Sequence, residues 1–406
     1  MSIRQVYLDH ATTTPLLPEA LEAMRPFLVE HFASASSLHQ GGLRVRDAMA
    51  HARTQMAQLI NANSPEEIIF TSNGTESANL AVKGAAQAAR RHGNHVVTSA
   101  IEHPAVLQSI GFLEANGFAC TKVGVDSLGR IDPKELLNAV TAQTTLICIH
   151  HVNYDVGTIQ LIAEVARGAA ERAIPLFVDA SCSGGWLPID VQAMGISLLS
   201  LAPHRFYGPK GVGVLYRNRR TRLEPLIHGG VQEDGRRAGT ENVAAIVGAG
   251  VAAGYARQQR GPRAAHTFVL QQQLWNGLRE RIPYLRLNGP MPGPDRVANQ
   301  LNVSIEFVEG EGVMLMLDSR GIAVTSGTAC VSKALKPSPV LRAIGLDESL
   351  AQGALIFSPG KDTTAEDIDY VVETTAAVVE RLRSMSASWD EFQRGTIKSA
   401  IESSRP

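Results

Sequence analysis

Ser200-Leu201-Ala202-Pro203-His204-Arg205-Phe206-Tyr207-Gly208-Pro209-Lys210-Gly211 follows a short apolar run, Ile196 to Leu201, and precedes another, Val212 to Tyr216. Gly, Pro and cations gathered between two apolar runs predict a buried strand that delivers a tight polar loop at a sheet edge. Upstream of this loop, strand and helix patterns alternate. Ile68-Ile69-Phe70 leads into Thr71 to Ser77 and an Ala-rich helix, and His95-Val96-Val97-Thr98 leads to Glu102, His103 and a helix-opening Pro104. Leu146 to Val152 and Leu176 to Val178 supply further apolar strands, and Asp132-Pro133 caps a helix through Val140. Alternation of this kind predicts an α/β fold with a mostly parallel sheet covered on both faces.

At the N-terminal side, Val6 to Asp9 reads as a strand. A Thr-rich turn follows, then an amphipathic helix with Leu17, Ala20, Leu21, Met24, Phe27 and Leu28 at helical spacing. Leu270 to Leu278 reads as a helix. After Pro283 the texture shifts to shorter strands at Leu285 to Asn288, Leu301 to Ile305 and Gly321 to Thr325. The expected organisation is a large domain over 15–261, a smaller α+β domain built from 1–14 and 262–380, and a C-terminal helix and tail over 381–406.

The 406 residues are 44% hydrophobic and 19% charged, with a net charge of −1, so the chain can bury a substantial core. That balance recommends neither nucleic acid nor an anionic membrane as a bulk electrostatic partner. No apolar run approaches the ~20 residues that span a bilayer. The start, MSIRQVYLDH, lacks the apolar core of a signal peptide. Four cysteines, Cys120, Cys148, Cys182 and Cys330, form no CxxC pair and no disulfide scaffold. The expectation is a cytoplasmic protein with free thiols, Cys120 and Cys148 packed in core, and no self-contained zinc site. Any other metal ligand set is unknown.

The order of residues from Ser200 to Gly211 resembles the lysine loop of the cysteine desulfurases, enzymes of the class-V aminotransferase-like fold that use pyridoxal phosphate. The opening Tyr7-Leu8-Asp9 and Ala11-Thr12-Thr13, the segment Leu301-Asn302-Val303-Ser304 and the loop Ser326-Gly327-Thr328-Ala329-Cys330 carry the same resemblance. It spans about residues 5 to 380. It implies that Thr75 meets the cofactor phosphate, that His103 stacks on the pyridine ring, and that Asp179 pairs with the ring nitrogen. It also implies a cofactor contact for His204. Thr240, in the run Gly229 to Thr240, matches a residue that reaches the phosphate from a neighbouring subunit, so a homodimer is implied. Without the resemblance, His103 reads as a helix-start histidine and Asp179 as a helix cap.

Five positions depart from the family pattern. Arg205 stands where the resemblance places the Schiff-base lysine, and a guanidinium with pKa above ~12 never supplies the free amine an imine needs. Ala202 replaces a phosphate-binding Ser, Tyr154 an Asn, Cys182 a Gln, and Ile356 the Arg that clamps the substrate carboxylate. Lys210 is not a spare, because the family carries that lysine as well. The resemblance makes Cys330 the persulfide-forming thiol, on a Gly/Ser/Thr loop that suits sulfur relay. The reading is a desulfurase-like protein of sulfur or iron–sulfur trafficking without covalently bound pyridoxal phosphate. It would act through Cys330 as persulfide carrier, metal or cluster ligand, or docking subunit for a sulfur acceptor or iron–sulfur scaffold. Two rivals stand beside it. One is an active desulfurase, or a new activity in the remodelled pocket. The other is a non-catalytic partner of an intact paralogue.

Overall fold

The computed structural model describes residues 4–326 and 337–403. The first sheet is built from β-strands delivered in chain order. After β1 (Val6–Tyr7) come β2 (Ile68–Thr71), β3 (His95–Ser99), β4 (Ala119–Val123) and β5 (Thr144–His150). They are followed by β6 (Leu176–Asp179), β7 (Leu198–Leu201) and β8 (Gly213–Arg217). Their spatial order is β2-β8-β7-β6-β5-β3-β4. Every pair is parallel except those made by β8, which runs antiparallel to both β2 and β7. Strands β5, β6 and β7 are buried along their whole length, as a sheet covered on both faces requires. The mostly parallel α/β sheet expected from the sequence is therefore present.

The quoted stretch folds as expected. β7 ends at Leu201, a single 3-10 turn spans Pro203–Arg205, and β8 returns from Gly213. Tyr207 sits in the left-handed region at φ 70° and is 1% exposed. Such a conformation is uncommon for a bulky residue and persists only where its surroundings fix it. Here Thr14 Oγ1 accepts the Tyr207 amide at 2.7 Å, and the Tyr207 carbonyl accepts from Leu17 N at 3.0 Å. Its hydroxyl accepts the Lys361 amide at 2.7 Å. The Thr-rich turn near the N-terminus is thus what clamps the loop.

A second, antiparallel sheet follows in the order β12-β13-β10-β9, from β9 (Leu285–Asn288), β10 (Leu301–Ile305), β12 (Thr325–Ser326) and β13 (Ala354–Phe357). β1 pairs in parallel with β11 (Ile322–Ala323), which draws the N-terminus to this later part of the chain. The single strand expected over Gly321 to Thr325 is two short ones, broken at Val324. The helix expected at Leu270 to Leu278 is the end of a 39-residue helix, Val243–Arg281. Its first half buries Ala245, Ala249 and Ala256 in one apolar cluster beneath the large sheet. Its second half buries Leu270, Leu274 and Leu278 in another beneath the small one. The sequence-based boundary at 261/262 falls inside this helix, at Gly261-Pro262.

Candidate functional site

The C-terminal ends of β5, β6 and β7 and the helix starts beside β2 and β3 converge on one cavity of about 90 Å³. This is where open α/β sheets place ligands. Eight residues singled out from the sequence line it: Thr75, His103, Tyr154, Asp179, Cys182, Ala202, His204 and Arg205. They come from segments more than a hundred residues apart. Among the described residues no lysine lines it, and Lys210 is exposed.

Asp179 forms a fixed wall. Its Oδ1 accepts from Ser181 N at 3.0 Å, Ser181 Oγ at 2.6 Å and Ser200 Oγ at 2.9 Å. Among the described residues nothing donates to Oδ2. Beside it, His103 caps the helix Pro104–Ala115, its Nδ1 accepting the Ala105 amide at 3.1 Å. That bond leaves the ring proton on Nε2. Burial pulls the His103 pKa below 6.5, Asp179 pushes it up and Arg205 adds to the fall, so the ring is neutral at pH 7. Tyr154 meets His103 edge-on, with centroids 5.3 Å apart and planes at 81°.

At the opposite end, Gly74 opens the helical run that continues through Ala88. A Cβ at Gly74 would meet Ala202 Cβ at 3.2 Å and Ser181 Oγ at 3.3 Å, so only glycine leaves the cradle open. Helix starts present unpaired N–H groups and a positive dipole end to anions. His204 stands nearby, with Nδ1 3.2 Å from Thr13 Oγ1. Burial, then Arg205 and Lys210, lower its pKa to about 4.

Arg205 donates from Nη1 to Cys182 Sγ at 2.7 Å, while Trp186 Nε1 holds its backbone carbonyl at 3.0 Å. Burial raises the Cys182 thiol, Arg205 lowers it and Asp179 raises it again, and the balance lies above the ordinary value of 9.0. Cys148 is fully buried and its pKa raised well above that value, as expected of a core thiol. Cys120 differs from the expectation. It lies half-buried on the edge strand β4 rather than in the core, although burial still pushes it to about 11.

A pair the sequence reading missed lies under the cavity. His150 lines it and donates from Nδ1 to Glu102 Oε1 at 2.7 Å, which also accepts from Ser99 Oγ at 2.5 Å. Glu102 Oε2 is buried with no partner among the described residues. Nothing in the apolar run Leu146 to Val152 signals this contact, because it depends on β3 and β5 lying side by side.

Thr240 is exposed and does not line the cavity. Its loop is held to its own chain: Glu233 pairs with Arg53 at 2.6 Å and accepts the Phe70 amide at 2.9 Å, and Arg237 pairs with Glu76 at 2.9 Å. Ile356 is buried in β13. Cys330 lies outside the described residues. Among those described, no three His, Cys, Asp or Glu side chains gather as a metal site, and no helix is long and apolar enough to cross a membrane.

The residues present fit pyridoxal phosphate at two of its three handles. Asp179, with a free oxygen, and the neutral His103 suit the pyridine ring, and the Gly74 cradle suits the phosphate. For the third handle, a covalent lysine, the cavity wall offers none among the described residues.

A class-V aminotransferase family model matches residues 6–371. A cysteine desulfurase IscS of Dictyoglomus turgidum is 44% identical over 390 residues, covering 96% of this chain and 98% of the relative. One of Methanosarcina thermophila is 43% identical over 383 residues, 94% of each. Among solved structures, a NifS-like protein superposes with TM-score 0.87 at 33% identity, covering 93% of this chain and all of the other. SspA in complex with cysteine matches with TM-score 0.78 at 36% identity, covering 88% and 99%.

Proposed function

This chain belongs to the class-V aminotransferase family and to its cysteine desulfurases, and on that premise we propose that it serves sulfur or iron–sulfur trafficking without a covalently held cofactor. The observation that carries the reading is the Arg205–Cys182 contact in a cavity that no lysine lines among the described residues. When bound, pyridoxal phosphate supplies an electron sink. In this chain Asp179 and His103 would hold its ring and the Gly74–Thr75 start its phosphate. Arg205 offers a fixed positive charge in place of an amine that can be deprotonated.

In this reading the sulfur-bearing group is Cys330, which acts as persulfide carrier, metal or cluster ligand, or docking element toward a sulfur acceptor or iron–sulfur scaffold protein. The working form is a cytoplasmic homodimer in which Thr240 faces the second copy. The test is an absorbance spectrum of the protein mixed with pyridoxal phosphate, together with cysteine-dependent sulfide release. The expected result is no band near ~420 nm, no borohydride-fixed adduct and no sulfide. A lysine adduct at any residue, or steady sulfide release, would overturn it in favour of an active desulfurase.

A further inference from the structure

We propose that the C-terminal segment from Ile397 to Ser403 is a releasable strap. Seated, it holds the helices Pro339–Ala343 and Glu348–Gln352 in place, and released, it frees them. The chain reaches the first of these helices from the stretch that carries Cys330. The inference therefore adds a means of regulation to the sulfur-trafficking reading and rests on that reading for its purpose.

The seat is specific. Glu306, just past the end of β10, is buried, and its carboxylate takes one donor on each oxygen. Ser399 Oγ donates to Oε2 at 2.7 Å and the Ala400 amide to Oε1 at 2.6 Å. An ionised acceptor makes such bonds stronger than neutral ones, and removing either donor leaves a buried carboxylate oxygen short of a partner. Ser399 is itself fully buried. Next to it, Ala400 and Ile401 pack against an apolar cluster that contains Ile101, Val340, Leu341 and Leu350. Val340 and Leu341 belong to the first of the two helices and Leu350 to the second, so one contact pins both. Tyr154 packs on the same cluster while lining the cavity, which joins the strap to the cavity wall.

The lead-in to the seat is loose by comparison. Upstream, Phe392 is anchored between Phe307 and Tyr284, with ring centroids 4.8 and 4.9 Å away, and the Arg383 guanidinium lies 4.9 Å from the Trp389 ring. Between that anchor and Ser399, Arg394, Gly395, Thr396 and Lys398 are exposed, and Gly395 turns the chain at φ 72°. Ile397 and Lys398 pass over a trough of about 600 Å³, with Phe307, Val308 and Leu382 on its apolar side, and line it without filling it. The terminal helix has four residues and each helix it pins has five. Helices this short have no stability of their own and stand on tertiary contacts. Unseating the strap should therefore show first in the two pinned helices, as a local opening rather than a global one.

The experiment is amide hydrogen exchange on the full-length protein, followed peptide by peptide at neutral pH. It needs neither pyridoxal phosphate nor cysteine, so its failure is distinguishable from failure of the sulfur-trafficking reading. Two variants release the strap from different sides. Ile401→Asp puts a charge into the apolar contact, and Glu306→Gln turns one acceptor oxygen into a donor facing another donor. Each should speed exchange over residues 338–352 at least about tenfold while β5, β6 and β7 exchange as in the wild type. A synthetic peptide with the sequence from Arg394 to Ser403, added in excess, should return Ile401→Asp to the wild-type rate, because its Glu306 seat is intact. Ile401→Asp leaves the small sheet untouched and carries the test even where Glu306→Gln costs the fold. Unchanged exchange over 338–352 in Ile401→Asp, faster exchange spread over both sheets, or no rescue by the peptide would each overturn the proposal.

Discussion

The Asp179 wall and the Arg205 wall face each other across one cavity, and they are built on different terms. Asp179 is tied by three hydrogen bonds to its own scaffold, two from Ser181 and one from Ser200. Among the described residues the Arg205 side chain makes a single bond, and that one is to another cavity residue, Cys182. A group fixed by its scaffold cannot change without a cost to folding, because its donors would be left buried and unpaired. A group whose partner is another site residue can change, provided the two change together. The contrast gives a physical reason why the Arg205 side of such a cavity tolerates substitution more readily than the Asp179 side.

The largest expected effect converts the rewritten wall. Arg205→Lys should gain a borohydride-fixable lysine adduct with pyridoxal phosphate that the wild type lacks, read by absorbance and mass mapping. If it gains none, Tyr154 and Cys182 matter more to the loss than Arg205 does.

Thiol reactivity comes next. Cys182 opens to the cavity, whereas Cys148 is sealed in β5 with its pKa raised by burial. Limited alkylation followed by peptide mapping should label Cys182 at least ~100-fold faster than Cys148, with Cys120 between them. Cys330, outside the described residues, is expected to lead all four. Early labelling of Cys148 would break the assignment.

Stability then separates the two walls directly. Asp179→Ala strands the Ser181 and Ser200 donors and should cost about 2–3 kcal/mol in urea unfolding. Arg205→Ala should cost under ~1 kcal/mol. Equal costs would erase the distinction.

The smallest effect is the pH response of His103. Its folded pKa is lowered, so its contribution to stability is complete above 6.5 and is lost as pH falls from there through the lowered folded value. His103→Gln should flatten that part of the stability profile. An NMR titration midpoint above 6.5 in the wild type would contradict the neutral ring.

Much of this was legible in the sequence because it is local. The strand, loop and strand around Ser200 to Gly211 announce themselves by apolar runs broken with Gly and Pro, and the departures at Arg205, Tyr154 and Cys182 are visible as residue types. The Arg205–Cys182 contact and the Glu102–His150 pair are not local. The first needs β6 beside β7 and the second needs β3 beside β5, which no spacing encodes. Cys120 looked like core from the apolar residues before it, but β4 is the outermost strand and leaves one face half open. The long helix was missed for a different reason. Its first half is Ala- and Gly-rich and buried on several sides, so it shows little amphipathic contrast, and Gly261-Pro262 reads as a stop.

That helix also has a mechanical consequence. At 1.5 Å per residue, its 39 residues form a beam about 58 Å long. Ile246 and Ala253 seat one end in the first apolar cluster, and Leu270 and Trp275 seat the other end in the second. Neither cluster can loosen without releasing a face of the element that completes the other. The molecule should therefore yield to denaturant in one step, and a cut anywhere in the beam should cost both halves their core.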